Sequence, residues 1–110
     1  PFNEFSIINP VIISEVINFF CKKKNISFKW PNDIFVNKKK VCGILQEVIQ
    51  KNGINYIIVG IGLNLVKSPY IQDYPTTSLY ELTKTKINVK NVSKRLILIY
   101  KKFLESRRVY

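Results

Sequence analysis

The middle of the chain gathers charged and amide side chains around a glycine. Residues 29–33 are Lys-Trp-Pro-Asn-Asp, and Lys40 stands three residues before Gly43 in a strand-like apolar run. A glycine inside such a run indicates that a backbone or a ligand approaches closely there. Ammonium and amide groups donate hydrogen bonds to anions, and a carboxylate can orient an ammonium or hold a metal ion. The pattern therefore predicts an anion-binding site centred on Gly43.

The residues around this site predict strands joined by tight turns. Residues 34–36 (Ile-Phe-Val) favour β-structure, and Asn37 with the three lysines after it forms a polar reversal. Asn52-Gly53 suits a two-residue hairpin turn, because both central positions of such a turn need positive φ. Residues 67–76, interrupted by two prolines, are expected to be loop. We expect a strand over residues 26–30 and an antiparallel meander with strands over residues 33–36, 40–50 and 54–65.

Helical patterns flank the predicted strands. Asn9-Pro10 indicates the start of a first helix that runs to about residue 24, because Asn caps helices and Pro favours their first turn. Ser78 and Glu81 form a capping box for a short helix through Leu82, and a last helix is expected over residues 91–106. The predicted buried faces consist of Val11, Ile12, Val16, Phe19 and Phe20 in the first helix, and of Val92, Leu96, Ile99, Tyr100, Phe103 and Leu104 in the last. The expected fold is α+β, an antiparallel or mixed sheet flanked by helices.

Composition restricts the class of protein. The 110 residues suffice for one small domain, and a hydrophobic content of 46% supports a packed core. Eighteen basic residues against 7 acidic ones give a net charge of +11, which favours a phosphate-bearing partner. The absence of histidine removes the usual general base and zinc ligand. Cys21 and Cys42 lack metal-binding spacing, and no signal peptide or membrane-length apolar run is visible, so a cytoplasmic protein with free thiols is expected.

Three motifs, taken in order, give a family resemblance. They are residues 29–33, residues 40–47 (Lys-Val-Cys-Gly-Ile-Leu-Gln-Glu) and residues 60–64 (Gly-Ile-Gly-Leu-Asn). Over roughly residues 5–105 the chain resembles the catalytic domain of biotin protein ligases. The resemblance implies that ATP, with Mg²⁺, activates biotin to biotinyl-5'-AMP. The biotinyl group then passes to a lysine of a biotin carboxyl carrier protein domain.

The resemblance also implies roles for particular residues. The family's lysine three residues before the glycine corresponds to Lys40, which would contact the biotin carboxylate and the acyl-phosphate. Lys29 would be a second cation, and Asp33 would pair with a lysine or hold Mg²⁺. The biotin- and adenylate-binding residues would be Lys40, Asn32, Gly43 and Ile44, and the adenine pocket would be lined by Gly60, Gly62 and Asn64.

One feature of the family is missing from this sequence. The family encloses biotin with an Arg- and Gly-rich loop that precedes these motifs, whereas Arg95, Arg107 and Arg108 are the only arginines here. The chain begins with Pro1 and contains no methionine. We therefore expect residues 1–110 to be a partial catalytic domain without the biotin-loop half, and to make no biotinyl-5'-AMP alone.

Other functions compete with this interpretation. A lipoate ligase-like enzyme would share the fold and the adenylation chemistry, although residues 29–33 together with 43–47 favour biotin. A small basic nucleic-acid-binding module would place aromatic and basic residues on one face, but the lysines cluster at turns and helix ends, so only weak, nonspecific association is expected. A non-catalytic, partner-binding remnant also fits the sequence. An apolar sheet edge, and with it a homodimer, is expected if the sheet lacks a neighbour.

Overall fold

The computed structural model describes residues 4–22, 25–29 and 32–106. Within them the chain forms a four-stranded sheet with two longer helices and one short helix. The elements in chain order are α1 (Phe5–Phe20), β1 (Ile26–Lys29), β2 (Asp33–Val36), β3 (Lys39–Lys51), β4 (Ile54–Leu63), α2 (Leu79–Thr83) and α3 (Val89–Ser106). The α+β prediction is confirmed, and each expected strand is present within two residues of its predicted ends.

The sheet is an antiparallel meander in the order β1-β2-β3-β4. Two-residue turns connect β2 to β3 and β3 to β4. Asn37 and Lys38 have φ of 51° and 66°, and Asn52 and Gly53 have φ of 55° and 77°. Positive φ at both central positions matches the twist of hairpin strands, so these turns set the strand register. The last residue predicted for β1, Trp30, lies outside the described residues.

A β-bulge interrupts the pairing of β2 with β3. Ile34 pairs with Cys42 but Phe35 pairs with Lys40, which leaves Val41 as the extra residue. A bulge changes the direction of the side chains on either side of it. Val41 and Cys42 are therefore both buried although they are consecutive, and Lys40 is turned away from the core.

The first helix begins earlier than the sequence indicated. It starts at Phe5, so Asn9 is an interior residue and the predicted cap at Asn9-Pro10 is wrong. Asn9 is fully buried: its Nδ2 donates to Gln46 Oε1 (2.9 Å), and its Oδ1 accepts from Tyr100 Oη (2.6 Å). Instead of capping the helix, the Asn9 side chain thus binds one side chain in the sheet and one in α3.

The buried faces of the helices also differ in part from the prediction. Val11 and Phe19 of α1 are 48% and 43% exposed, and Leu104 of α3 is 46% exposed. The burial of Asn9, Pro10, Ile13 and Ile17 shows that the core-facing side of α1 is rotated relative to the predicted one. Helix α3 begins at Val89 rather than residue 91, with Asn88 Oδ1 accepting from Asn91 N (2.8 Å).

Helix α2 begins as predicted. Ser78 Oγ accepts from Glu81 N (3.1 Å), and the Glu81 carboxylate accepts from the Thr77 hydroxyl (2.7 Å). The side chain of Glu81 therefore binds a residue before the helix rather than the Ser78 N–H of a full capping box. These hydrogen bonds fix the N-terminus of α2 directly after the loop that follows β4.

The core lies where α1 covers the sheet and α3 packs on α1. Its buried residues are Ile13, Val16, Ile17, Cys21, Ile34, Val36, Val41, Cys42, Ile44, Leu79, Ile87 and Val92. Beyond Ile44, β3 and β4 continue as a two-stranded ribbon with no buried residue. Cys21 and Cys42 are both buried. Among the described residues, no helix is both long and apolar enough to cross a membrane.

Candidate anion-binding site

An ion pair between Lys40 and Asp33 lies at the centre of the candidate site. Lys40 Nζ is 3.0 Å from Asp33 Oδ1, and their side chains are only 19% and 25% exposed. Asp33 is the first residue of β2, and Lys40 lies on β3 next to the bulge. The sequence predicted that both residues would surround Gly43, and the structure brings them together there.

Tyr74 completes the surroundings of Lys40 from the loop between β4 and α2. Lys40 Nζ donates to Tyr74 Oη (3.4 Å), and the same nitrogen lies 5.5 Å from the centroid of the Tyr74 ring. Lys29 Nζ lies 5.3 Å from that centroid. The edge of the Tyr74 ring also packs on Phe35, with the centroids 5.6 Å apart. One aromatic ring therefore contacts both predicted cations.

Backbone hydrogen bonds hold the Tyr74 loop against β3. Lys40 N donates to Pro75 O (2.9 Å), and Thr77 N donates to Lys40 O (2.8 Å), which forms a parallel bridge between Lys40 and Thr76. Sequence reasoning missed Tyr74 because residues 67–76 read only as a proline-interrupted loop. An aromatic residue directly before Pro75 was the one available signal.

The environment of Lys40 keeps it charged. Burial by itself lowers the pKa of the ammonium, but hydrogen bonds to Asp33 and Tyr74 and the Asp33 charge outweigh that effect, so the pKa is raised above its ordinary value. Lys40 is thus fully protonated at neutral pH. Burial raises the pKa of the neighbouring Cys42 thiol to about 12, so this sulfur stays neutral and is no nucleophile.

Gly43 and Gly62 leave the sheet without side chains next to the Lys40 ammonium. Gly43 pairs with Gly62 across β3 and β4. A Cβ on Gly43 would lie 3.5 Å from Lys40 Nζ and 3.9 Å from Asp33 Oδ1, and a Cβ on Gly62 would lie 3.6 Å from Gly43 O. A ligand can therefore approach the backbone here, next to the charged pair.

Three other predicted site residues, Ile44, Asn32 and Gly60, are not part of the Lys40–Asp33 pair or of the Gly43–Gly62 patch. Ile44 is buried in the core, and its N–H donates to Asn32 O (2.8 Å). Asn32 lines a separate depression of about 310 Å³ with Gln46 and Glu47. Gly60 is opposite Leu45 in the ladder, farther out along the ribbon than Gly62.

Asn64 has a structural role in addition to its predicted one. Its Nδ2 donates to Thr77 O (3.0 Å), and its backbone oxygen accepts from Leu79 N (2.9 Å). Asn64 therefore joins the end of β4 to the start of α2. Its predicted contact with adenine stays a prediction.

The described residues do not form a magnesium site by themselves. They contain no cluster of three or more His, Cys, Asp or Glu side chains that could hold a metal ion. The carboxylate of Asp33 is already paired with Lys40. Mg²⁺ accepts one or two protein carboxylates when phosphate oxygens complete its coordination, but these residues do not build a metal site alone. The geometry favours lysine pairing for Asp33.

Comparison with known proteins defines the class first. A sequence model described as the Biotin/lipoate A/B protein ligase family matches residues 17–64, which include the sheet and the Lys40–Asp33 pair. The apo biotin protein ligase from Aquifex aeolicus has the same fold, with a TM-score of 0.73 and 28% identity over 92% of this chain and 44% of that one. The fold is therefore that of biotin and lipoate ligase catalytic domains.

Two further relatives place the chain within this class. The bifunctional ligase/repressor BirA of Bacillus subtilis is 36% identical in an alignment of length 81 that covers 67% of this chain and 24% of that protein. The Aquifex aeolicus biotin protein ligase in complex with biotin and ATP is 34% identical over 86% of this chain and 41% of that one, with a TM-score of 0.62. Residues 17–64 therefore match that family, and the proteins that this chain is similar to include the biotin protein ligase of Aquifex aeolicus. The chain spans about a quarter of the length of the Bacillus subtilis relative.

Proposed function

We propose that residues 1–110 are part of the catalytic domain of a biotin protein ligase. The whole enzyme would use ATP to convert biotin to biotinyl-5'-AMP and would transfer the biotinyl group to a lysine of a biotin carboxyl carrier protein domain. The observation that carries the proposal is the charged Lys40 ammonium, held by Asp33 beside the bare Gly43–Gly62 patch. This lysine stands at the motif position that the family uses for the reacting anions.

The first reaction explains why fixed cations are needed. The biotin carboxylate attacks the α-phosphorus of ATP, pyrophosphate leaves, and negative charge increases on the phosphate oxygens. A preorganised ammonium stabilises that charge without reorganising at the moment of reaction. Lys40 would bring the two anions together, and Lys29, which contacts the same Tyr74 ring, would bind a second phosphate oxygen.

In the second reaction the mixed anhydride is consumed. The amine of the carrier lysine attacks the biotinyl carbonyl, an amide bond forms, and AMP leaves with the electron pair of the broken C–O bond. A neutral attacking amine releases one proton. In both steps Lys40 would stabilise the same phosphate oxygens, so it need not give up its own proton.

Asp33 and the glycines would support these steps. Asp33 would keep the Lys40 ammonium in place, while Asn32, Gly43 and Ile44 would line the biotin side of the site. Mg²⁺, when bound with ATP, would neutralise the phosphate charge. Asp33 is the candidate protein ligand for it among the described residues of the site, and it would have to share its carboxylate with Lys40.

The adenine end of the nucleotide would lie along the end of β4. Gly60 and Gly62 would let the base approach the backbone, and Asn64 would meet its polar edge. The Nδ2 of Asn64 is bound to Thr77 O, so its Oδ1 would accept from the exocyclic amine.

Lipoate is the alternative substrate, because the matching family includes lipoate ligases. Biotin is favoured by the residues at 29–33 and 43–47 and by the named relatives. Both substrates present a carboxylate to the same cation, so Lys40 alone does not distinguish them. The distinction must come from the pocket that encloses the ring of the substrate.

The experiment uses a chimera in which this chain replaces the matching segment of the Bacillus subtilis relative. The assay is biotin-dependent exchange of labelled pyrophosphate into ATP. We expect exchange with biotin, and we expect Lys40→Ala to lower its rate about 100- to 1,000-fold, since it removes a charge that stabilises the transition state. Lys39→Ala and Lys38→Ala remove the same charge from exposed neighbours and are expected to change the rate no more than a few fold.

Three results would contradict the proposal. The first is a folded chimera, by circular dichroism and thermal unfolding, without exchange. The second is an equal loss of activity at all three lysines, which would indicate a general effect of charge. The third is exchange with lipoate but not with biotin, which would assign the chain to the lipoate ligases.

A further inference from the structure

Tyr74 contacts both lysines of the site, Lys29 and Lys40, yet belongs to none of the sequence motifs. It touches Lys40 through its hydroxyl and its ring, Lys29 through its ring, and Phe35 through its edge. The hydroxyl accepts its hydrogen bond at 3.4 Å, whereas Asp33 accepts at 3.0 Å. Of the two partners of Lys40, neutral Tyr74 is therefore the weaker, because charge-assisted bonds are shorter and stronger.

The position of Tyr74 is determined from two sides. The backbone on its C-terminal side is bound to β3 through Lys40 N and Pro75 O. Its ring rests on Phe35 of β2. The backbone bridge and the aromatic contact therefore fix the position of Tyr74 at the site, although Tyr74 belongs to no helix or strand.

An ammonium carries three N–H donors, and within the described residues Lys40 has two acceptors, Asp33 and Tyr74. A third donor remains for a ligand, and Gly43 leaves space beside the ammonium. The face of an aromatic ring attracts cations. Tyr74 therefore offsets part of the repulsion between Lys29 and Lys40, because both ammonium groups lie within 5.5 Å of the centroid of its ring.

We propose that Tyr74 is a positioning residue that preorganises the Lys29 and Lys40 ammonium groups to bind a ligand with two adjacent anionic groups, such as a diphosphate. The ring keeps the two cations together before the ligand arrives. The hydroxyl accepts from one donor of Lys40 and orients the ammonium, and the third donor stays available to an anionic oxygen of the ligand. This inference rests on the proposed function for the identity of the ligand, but not for the two-cation site itself.

The first test measures binding of inorganic pyrophosphate to this chain by isothermal titration calorimetry at low salt. Tyr74→Phe keeps the ring and removes the hydroxyl, so we expect it to weaken binding about twofold to threefold. Tyr74→Leu removes both, and we expect a loss of about tenfold, since two cation–π contacts disappear. Tyr70→Leu changes a tyrosine of the same loop that is 89% exposed, and it is expected to bind as the wild type does.

The second test reports on Lys40 directly. Carbon-13 NMR of the lysine Cε gives the pKa of each ammonium group. The Tyr74 hydroxyl raises the pKa of Lys40, so Tyr74→Phe is expected to lower that pKa. A tyrosine that served only for packing would leave the pKa of Lys40 unchanged in this variant.

Equal pyrophosphate affinity in wild type, Tyr74→Phe and Tyr74→Leu would overturn the proposal, and so would a wild-type chain that does not bind pyrophosphate. Loss of binding in Tyr74→Leu counts as support only if thermal unfolding shows an intact fold; the pKa of Lys40 in Tyr74→Phe then decides. If Tyr74-dependent binding is found but the chimera catalyses no exchange, the proposed function is wrong and the two-cation site stands.

Discussion

Gly43 leaves the space beside the Lys40 ammonium open. The φ angle of Gly43 does not require glycine, and an added Cβ would meet its neighbours at ordinary contact distances of 3.5 Å or more. The fold therefore does not need glycine at this position. If the site binds an anion next to Lys40, the missing methyl group serves the ligand.

This interpretation predicts opposite effects of Gly43→Ala on stability and on binding. We expect the free energy of unfolding to be unchanged or to rise by up to about 1 kcal/mol, because alanine has less conformational freedom in the unfolded chain. The pyrophosphate affinity is expected to fall, because the methyl group fills the approach to Lys40. Urea unfolding and calorimetry on the same samples measure both. Unchanged affinity in the stable variant would show that the ligand does not use this space.

Among individual residues, the sequence indicated Lys40 as a candidate site residue but did not indicate Tyr74. Lys38, Lys39 and Lys40 are the same residue type, and only the spacing to Gly43 singled out Lys40. Tyr74 had no such signal, because it reaches Lys40 through a backbone bridge between residues distant in sequence. Local patterns carry no information about such a pairing.

The helices are fastened to the sheet by a chain of side-chain hydrogen bonds. Tyr100 of α3 donates to Asn9 of α1, and Asn9 donates to Gln46 of β3. Asn9 is completely buried, and its amide is satisfied on both sides. Three elements thus meet at one amide group.

We expect Tyr100→Phe to lower the free energy of unfolding by about 1–3 kcal/mol, since it leaves the buried Oδ1 of Asn9 without this donor. Urea unfolding at neutral pH measures the loss. Tyr80→Phe removes a hydroxyl from a more exposed tyrosine and serves as the control, with little change expected. An equal, small effect in both variants would show that the buried bond contributes nothing.

The same hydroxyl predicts a pH dependence. Burial raises the pKa of Tyr100 from 10.0 to about 12. A raised pKa means that the folded chain binds the proton more tightly than the unfolded one. The contribution of Tyr100 is complete below pH 10 and is lost as the pH rises towards 12. The raised pKa of Cys42 gives the same kind of pH dependence in the wild type and in Tyr100→Phe. The difference in stability between the two proteins therefore isolates the contribution of Tyr100.

At the scale of elements, prediction succeeded where signals were local. The Asn52-Gly53 turn and the Ser78 cap were correct because each is decided by a few adjacent residues. The predicted start of α1 was wrong because Asn9-Pro10 is typical of a helix start when only the local sequence is considered. Its partners Gln46 and Tyr100 are remote in sequence, and their contacts made Asn9 an interior residue.

The molecule as a whole exposes an apolar ribbon and carries a large positive charge. Ile54, Tyr56 and Ile58 of β4 are 55%, 46% and 48% exposed, and Leu45 on β3 is 63% exposed. Within the described residues, β4 is an edge strand of the sheet. Edge strands with apolar side chains tend to pair with other strands, whereas the net charge of +11 opposes self-association.

We therefore expect self-association of this chain to increase with salt. Raising the ionic strength from about 0.1 to 1 M shortens the screening length from about 10 to 3 Å, which weakens repulsion and leaves apolar contact intact. Sedimentation velocity measures the change. Ile58→Lys is expected to reduce association, and Val89→Lys, on α3 away from the ribbon, is the control with the same added charge. Association that decreases with salt would indicate ionic contacts instead.

The bridge between Lys40 and Thr76 also has a consequence for the order of folding. The two hairpins close over two-residue turns, whereas this bridge must bring together segments at residues 40 and 76. Closing a longer loop costs more chain entropy, and long-range contacts form more slowly. We expect the sheet to form first and Tyr74 to reach Lys40 only after that. A newly made chain would then pass through a stage in which it is folded in outline but cannot yet bind its ligand.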